Sequence, residues 1–481
     1  MKKSLLTLIS PMIFAAGTMS AAAYDASLVS LSPSTGSGAS YVVLNNNAVF
    51  KGIIRNEGTS NLTAMTLKYS DEAGIHADYI SNLNIAPGAD YNFTHSAPYV
   101  VRSYGSHAIN FWVEVAGDNN PANDAQHIIV EGVAFNPVHH VTVEEATGTW
   151  CGWCVRGIVF LDSMRAIHPT DCDLIAVHDG DPMVYAAYDN GVGTLIAGYP
   201  STLINRDVIS DPQYIFSDYN NSIADFGTAD LNPTISYNSS TRHVTVVVNA
   251  TFAIGLSGDY RLACVMTEDN VHSTAGGQWD QHNYYSYQSQ NLALVDHENG
   301  MNFQSLPATI PSSQMYYNYV ARTILGGFNG MAGSLPTTIP INSTQTYTFN
   351  YTIPAAYNEA NMKAVILLID NTTTTRHIMN SASGDVLMGI QNPASSIGAI
   401  SLYPNPSNEN TIVHVGLSQN ENVTLSVYDM TGALISVENE GQVAEGDHDF
   451  NLGTMNLAKG MYFVKVTAGT SEQTMKMLVT H

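Results

Sequence analysis

The clearest chemical potential in this chain lies in Thr149-Trp150-Cys151-Gly152-Trp153-Cys154-Val155-Arg156. Two cysteines separated by two residues, placed where a predicted strand ends and a predicted helix begins, bring both sulfurs to the first helical turn. The positive end of the helix stabilises a thiolate on the first of them. Cys151 is then expected to be the exposed attacking sulfur. Cys154, one turn inside, is the resolving thiol that closes an internal disulfide and releases a mixed-disulfide partner. Two other readings of the pair are an inert staple and half of a zinc site. Zinc needs four ligands, and the sequence has no second Cys-x-x-Cys or His-x-His pair. His139 and His140, as neighbours on a strand, point to opposite faces, so neither a metal nor a cofactor is expected. His178, ahead of Asp179-Gly180-Asp181, either touches the cysteines or is a satisfied structural histidine. Cys172 and Cys264 read as small buried hydrophobes or, after export to an oxidising compartment, as an interdomain bridge.

The elements that must position this chemistry run from 135 to 228. Strands are expected over 138–145, 174–178 and 202–205, with helices over Val155–Ile167 and 213–226. Strands alternating with helices imply crossover units and a parallel sheet. In the first strand Glu145 shares a face with Val143 and Val141, so desolvation should raise its pKa.

The flanks are different. Short β-branched and aromatic runs over 49–55, 64–69 and 108–115, broken by Asn, Gly, Pro and Asp, predict an immunoglobulin-like β-sandwich over 24–134. Its loop 118–124 is rich in oxygen donors and reads as a plain turn or a calcium loop, without the spacing of an EF-hand. Strands over 243–248, 260–266, 346–351 and 364–369 predict a second β-sandwich over 229–393. An excursion rich in Tyr, Gln and Asn over 278–319 serves it as structure or as a partner surface. A small C-terminal β-sandwich follows over 394–481. The fold class is therefore multidomain and mainly β, with one α/β domain.

Composition narrows the function. Of 481 residues, 41 are acidic and 17 basic, a formal charge of −24, which excludes nucleic-acid binding through a basic face. The length suits roughly three or four domains. Lys2 and Lys3, an apolar run from Leu5 to Ala16 and the small residues Ala21-Ala22-Ala23 read as a signal peptide over 1–23. No later apolar run is long enough for a transmembrane helix. The expected location is secreted or at the cell surface.

Three resemblances sharpen this picture. Trp150-Cys151-Gly152-Trp153-Cys154 resembles the active site of the thioredoxin superfamily. Pro200, in Gly198-Tyr199-Pro200-Ser201, resembles that family's cis-proline, and Glu145, six residues before Cys151, sits where the family carries a buried acid. The resemblance implies Glu145 as proton acceptor for the resolving cysteine, Pro200 as part of the catalytic set, and a substrate groove lined by Trp150, Trp153 and Tyr199. Trp153 departs from the usual proline, and the final hairpin reads as truncated to one strand. Glu144 to Cys154, Tyr199-Pro200 leading to Ile204-Asn205-Arg206, and Tyr319-Val320-Ala321-Arg322 with Gly326-Gly327-Phe328-Asn329-Gly330 together resemble the outer-membrane protein twenty-eight family of Bacteroidetes. That implies a thioredoxin-like domain joined to a β-sandwich at the cell surface. Tyr403-Pro404-Asn405-Pro406, Tyr428-Asp429-Met430-Thr431-Gly432, Lys459-Gly460-Met461-Tyr462 and Lys476 in the last strand are similar to the C-terminal sorting domain of type IX secretion cargo. This implies the type IX machinery as a partner, removal of the domain near residue 395, and release or lipopolysaccharide anchoring. Two functions follow as expectations: thiol-disulfide exchange on extracytoplasmic protein thiols or disulfides, or a non-catalytic surface binding or adhesion protein on a disulfide-stabilised scaffold.

Overall fold

The computed structural model describes residues 22–480 except 34–40, 119, 289–293, 297, 388–396, 430–432 and 470. Most of the expected signal peptide, the segment at 393–396 and the turn at 430–432 therefore lie outside the described residues. The chain is multidomain and mainly β. Two compact units divide between Val386 and Leu387.

The second unit packs a sheet of Ile397–Tyr403, Asn410–Leu417 and Gly446–Gly453 with one of Leu434–Val443, Glu421–Asp429, Gly460–Ala468 and Ser471–Val479. Its core alternates along the strands: Val413 and Val415 meet Val423, Leu425, Val427, Val464 and Val466. In the first unit, the N-terminal sandwich has a three-stranded sheet and a five-stranded one. Strands Phe50–Asn56, Leu62–Asp71 and Gly105–Glu114 place Phe50, Ile54, Leu67, Tyr69, Ile109 and Phe111 in its core. The oxygen-rich loop at 118–124 ties Asp118 to the N–H of Ala26 (2.8 Å) and Asn123 to Asp25 (2.9 Å). Among the described residues no three His, Cys, Asp or Glu side chains are grouped to hold a metal ion.

One eight-stranded sheet organises the remainder of this unit. Its members are β1 (Val141–Thr147), β2 (Cys172–His178), β3 (Ser201–Ile204), β4 (Val208–Ser210), β5 (Tyr260–Glu268), β6 (Val320–Leu325), β7 (Met362–Asp370) and β8 (Ile378–Asp385), in the order β4-β3-β1-β2-β6-β5-β7-β8. β1 and β2 are parallel, from Val141 opposite Cys172 to Thr147 opposite His178. β3 runs antiparallel to β1, and β4 to β3. The hairpin expected to be truncated thus has both strands. It was overlooked because Val208-Ile209-Ser210 is too short to show a periodicity. β2 meets β6 in parallel at Ala176 and Val320. The division expected at residue 228 does not interrupt this sheet: strands from both sides of it are hydrogen-bonded neighbours. The expected second sandwich exists in the sense that Ala229–Asn238, His243–Phe252 and Thr344–Thr352 form a three-stranded sheet. That sheet packs Val244, Val246, Val248 and Phe349 on Leu262, Cys264, Met266, Ile366 and Leu368 of β5 and β7.

Helices cover the other half. α1 (Val155–Ile167) matches its expected bounds and, with α3 (Ile215–Ser222), packs Leu161, Met164, Ile215 and Tyr219 on Val141, Val143 and Ile204. α2 (Ala186–Gly193) lies on the opposite face, Tyr188 and Val192 against Ala146, Ile175, Val177 and Leu203. Sequence periodicity missed α2 because it is two turns long and contains two glycines. Gly191 is required, since a Cβ there would fall within 2.5 Å of the Phe328 ring.

β1 is buried at every position, and its two adjacent glutamates therefore go to opposite covered faces. Glu144 is fully buried beside the fully buried Arg206. The guanidinium donates to both carboxylate oxygens (2.6–3.0 Å) and to the Phe328 carbonyl (2.7 Å), stacking 3.8 Å over the Phe328 ring; the Tyr188 hydroxyl donates to Glu144 at 2.6 Å. Every charge in this cluster is answered, which a buried ion pair requires. Asn205 (φ 50°) and Arg206 (φ 56°) take left-handed backbone in the β3–β4 turn, a strain costing about 1 kcal/mol or more for arginine. The ion pair offsets it.

Arg206→Met leaves Glu144 buried and unpaired, so it should lower the stability of this unit by about 3–5 kcal/mol. Arg206→Lys should recover only part of that loss, because an ammonium cannot reproduce the fork. Urea unfolding of the full chain, followed by near-ultraviolet circular dichroism, measures both.

Candidate functional site

At the end of β1 the chain turns through Thr149 to Cys154 into α1. Cys151 and Cys154 form a disulfide, the Cys154 N–H donating to the Cys151 carbonyl at 3.1 Å and the Gly157 N–H to the Cys154 carbonyl at 2.9 Å. No acidic side chain occupies the first turn of α1, so the helix N-terminus faces the sulfurs without a competing anion. The bond Tyr199–Pro200 is cis and precedes β3, with Pro200 buried.

The expectation of an exposed Cys151 is not met: it is 4% exposed and Cys154 1%. The cover comes from the excursion at 278–319, which neither merely pads a sandwich nor stands free. The His282 N–H donates to the Thr149 carbonyl (2.7 Å), the Tyr284 N–H to the Gly152 carbonyl (2.9 Å), and Gln281 Nε2 to the Cys151 carbonyl (3.2 Å). In return Thr149 Oγ1 donates to the Gln278 carbonyl at 2.7 Å. A Cβ on Gly152 would lie 2.4 Å from the Tyr284 ring, so glycine is what lets this cap sit down on the motif. Beneath it Tyr285, Leu294, Phe303, Ile310 and Tyr317 form one apolar cluster with Val155 and Val159 of α1.

The expected groove residues divide between two sides. Trp150, 42% exposed, donates from Nε1 to the Asp179 carbonyl (2.7 Å) and meets Tyr199 edge-on at 5.3 Å. Trp153, 40% exposed, instead stands edge-on to Tyr284 and Tyr285 of the cap. Arg156 bonds Asp211 and reaches the Tyr285 hydroxyl (3.1 Å), tying the cap to α1.

Glu145 leaves β1 on the α1 face and lies against Gly157, where a Cβ would overlap its carboxyl. It is 2% exposed, and its Oε1 is buried without a hydrogen-bond partner. Burial pushes its pKa up to about 8; Thr147 and Arg156 pull the other way, and the nearby Asp162 adds to the rise. Desolvation is the larger effect, because no cation touches the carboxyl. A cavity of about 20 Å³, the size of one water, is lined by Glu145, Thr147, Asp162, His178 and Tyr319 among others. His178 is buried and its Nδ1 lies 2.7 Å from Asp181. It is thus a satisfied structural histidine that also walls the cavity.

Sequence reasoning missed Asp162 and, for the excursion at 278–319, its seat over the cysteine motif. A signal for Asp162 was present: Val155, Val159 and Asp162 share one helical stripe, and a carboxylate in an apolar stripe is anomalous. Cys172 and Cys264 are both free, so no bridge joins them. Burial pushes the Cys264 thiol up to about 12 and the Cys172 thiol up as well, which leaves both unreactive. His139 and His140 precede β1 rather than lie in it; His140 pairs with Asp173 at 3.2 Å.

Comparison with known proteins supports the two family resemblances. Residues 186–385 match the family described as outer membrane protein Omp28, and residues 401–480 match the secretion system C-terminal sorting domain. The chain is thus addressed through its type IX tail to the cell surface or outer membrane after export. Among the described residues no helix is long and apolar enough to cross a membrane. No curated protein matches. Similar solved structures include a Pyrococcus furiosus CARDB domain in complex with di-metal ions (16% identity, 23% of this chain and 89% of that one, TM-score 0.19). Others are an Agrobacterium tumefaciens protein (10%, 52% and 96%, TM-score 0.30) and the Amycolatopsis orientalis exo-chitosanase CsxA (9%, 89% and 76%, TM-score 0.19).

Two measurements follow from this geometry. Glu145 holds its proton in the folded state up to about pH 8 and releases it near 4.5 when unfolded. Its contribution to stability is therefore complete at low pH and lost as pH rises through that window. Glu145→Gln should match the parent below the window and exceed it by a few kcal/mol above it, as read by urea unfolding across pH. Tyr284→Ala removes the ring seated on Gly152 and should speed reduction of the disulfide by dithiothreitol about tenfold, through easier local opening.

Proposed function

We propose that this exported surface protein carries out thiol-disulfide exchange through Cys151 and Cys154, on protein thiols or disulfides outside the cytoplasm. One observation carries the reading: the buried, protonated Glu145 lies beneath the helix turn that holds the disulfide, with an oxygen left unpaired. Such a carboxyl costs several kcal/mol of stability, and a staple would gain nothing from it. As a staple the bond is also weak, since closing so short a loop is worth only about 2 kcal/mol. The cysteine pair at a strand-to-helix junction, the cis proline before β3, the completed hairpin and the helix after it support the thioredoxin-like reading of this half of the sheet.

In the reducing direction the dithiol form attacks with the Cys151 thiolate. A bond forms to one sulfur of the partner disulfide and the other sulfur leaves as a thiolate. Once Glu145 has released its own proton, Cys154 gives its proton to that carboxylate and attacks Cys151, the internal disulfide closes, and the second partner sulfur leaves. Two electrons pass to the partner, and the reverse sequence oxidises a partner dithiol. Trp150, Tyr199 and Pro200 form one wall of the groove, and the cap must lift for a partner to reach it. The sorting unit directs the chain to the type IX machinery, and its removal leaves the first unit released or anchored to lipopolysaccharide.

Burial of both sulfurs under the cap favours a second reading, a binding or adhesion protein in which the disulfide only stiffens the scaffold. Equilibration of the full chain with graded glutathione buffers separates the two. A midpoint between roughly −120 and −270 mV, with a Cys154→Ser variant that accumulates a mixed disulfide through Cys151, is the expected result. A midpoint well below about −300 mV with no mixed disulfide would assign the pair to the scaffold.

A further inference from the structure

Glu145 does not stand alone in the interior. Across the water-sized cavity from it, Asp162 projects from α1 and is 2% exposed. Its Oδ1 accepts from the Tyr319 hydroxyl (2.9 Å) and from Asn318 Nδ2 (3.4 Å). Asp296, contributed by the cap and 3% exposed, is close enough for its charge to raise the pKa of Asp162. Oδ1 of Asp296 in turn accepts from the Glu298 N–H at 2.9 Å. Burial first, and the neighbouring Asp296 second, push the Asp162 pKa up to about 7, and burial raises that of Asp296 as well, so these carboxyls exchange a proton near neutral pH.

The charged groups around this cluster have partners of their own. On the outer side Arg165 of α1 pairs with Asp269 (2.8 Å) and with Glu298, all three partly exposed. On the inner side Arg156 is engaged by Asp211 and Tyr285, and His178 by Asp181 with the Tyr317 ring against it. None of these inner groups bonds Glu145. The cavity joins Glu145 to Asp162, and Asn318 Nδ2 bonds both Asp162 and Glu298 (2.9 Å), which pairs with the partly exposed Arg165 and whose N–H holds Asp296.

We propose that Asp162 and Asp296 form a proton relay that serves Glu145 through a single water in this cavity. The proposal rests on the exchange reading above. When a partner thiolate attacks Cys151, the Cys151–Cys154 bond breaks and its electron pair stays on the Cys154 sulfur. That thiolate takes the Glu145 proton. Glu145, now a desolvated carboxylate, is reprotonated from Asp162 through the water, and the Asp162–Asp296 pair refills from solvent beside Arg165. A second partner thiol then attacks the mixed disulfide and frees Cys151, so the partner dithiol becomes a disulfide as the protein disulfide becomes a dithiol. The cap thus supplies half of the relay as well as the cover over the sulfurs.

The test follows reduction of the full chain by dithiothreitol through tryptophan fluorescence, from pH 5 to 9 in H2O and D2O, for the parent, Glu145→Gln, Asp162→Asn and Asp296→Asn. Near-ultraviolet circular dichroism verifies the fold of each, and two separate relay variants guard against one failing to fold. The expected result is a rate about tenfold or more lower in both aspartate variants, with a shifted pH profile and a larger solvent isotope effect. Rates and profiles equal to the parent's in both, while Glu145→Gln is slow, would overturn the relay and leave Glu145 exchanging protons by another path. A parent and Glu145→Gln that behave alike would instead remove the exchange role of Glu145 itself.

Discussion

Burial of β1 on both faces is the constraint on which the site depends. A strand covered by helices on either side has no solvent face, so Glu144 and Glu145 must each be answered inside the protein. They are answered differently. Glu144 is matched by Arg206 and Tyr188, Arg206 in turn donates to the Phe328 carbonyl, and the match draws together α2, the β3–β4 turn and the loop after β6. Glu145 meets no cation and keeps its proton. One residue of register separates a charge that locks the fold from an acid held ready beneath a disulfide.

The cap connects β5 to β6 and reaches across to the end of β1. It leaves the sheet after β5 and returns to it at β6, and on the way covers the cysteines that follow β1. Its hold on them is mostly backbone: carbonyls of Thr149, Cys151 and Gly152 accept from residues 281, 282 and 284. Hydrogen bonds of this kind can be exchanged for those of another extended peptide. On the exchange reading, cover and access are alternative pairings of the same carbonyls, and the aromatic contacts of Trp153 with Tyr284 and Tyr285 bias them toward cover.

The site was readable in sequence where its logic is local. The Cys-x-x-Cys spacing, the start of α1 and the position of Glu145 in β1 each depend on a few neighbouring residues, and each lies where expected. Hairpin β3–β4 and α2 escaped notice because very short elements carry too little periodicity. The continuity of the sheet across residue 228 escaped because β2 and β6 are far apart in the chain, and register between such strands leaves no pattern in either.

By itself the sequence determined the address and the paired-cysteine motif. Sorting-domain and cysteine signatures are contiguous, and their meaning survives without knowing what packs on them. Tertiary structure alone decided the state of that motif. Whether Cys151 meets solvent and whether Asp162 has an acidic neighbour depend on residues more than a hundred positions away, and whether Glu145 is charged depends on how α1 packs over it. Burial and charge are properties of the space around a side chain, and that space is made only when the chain folds.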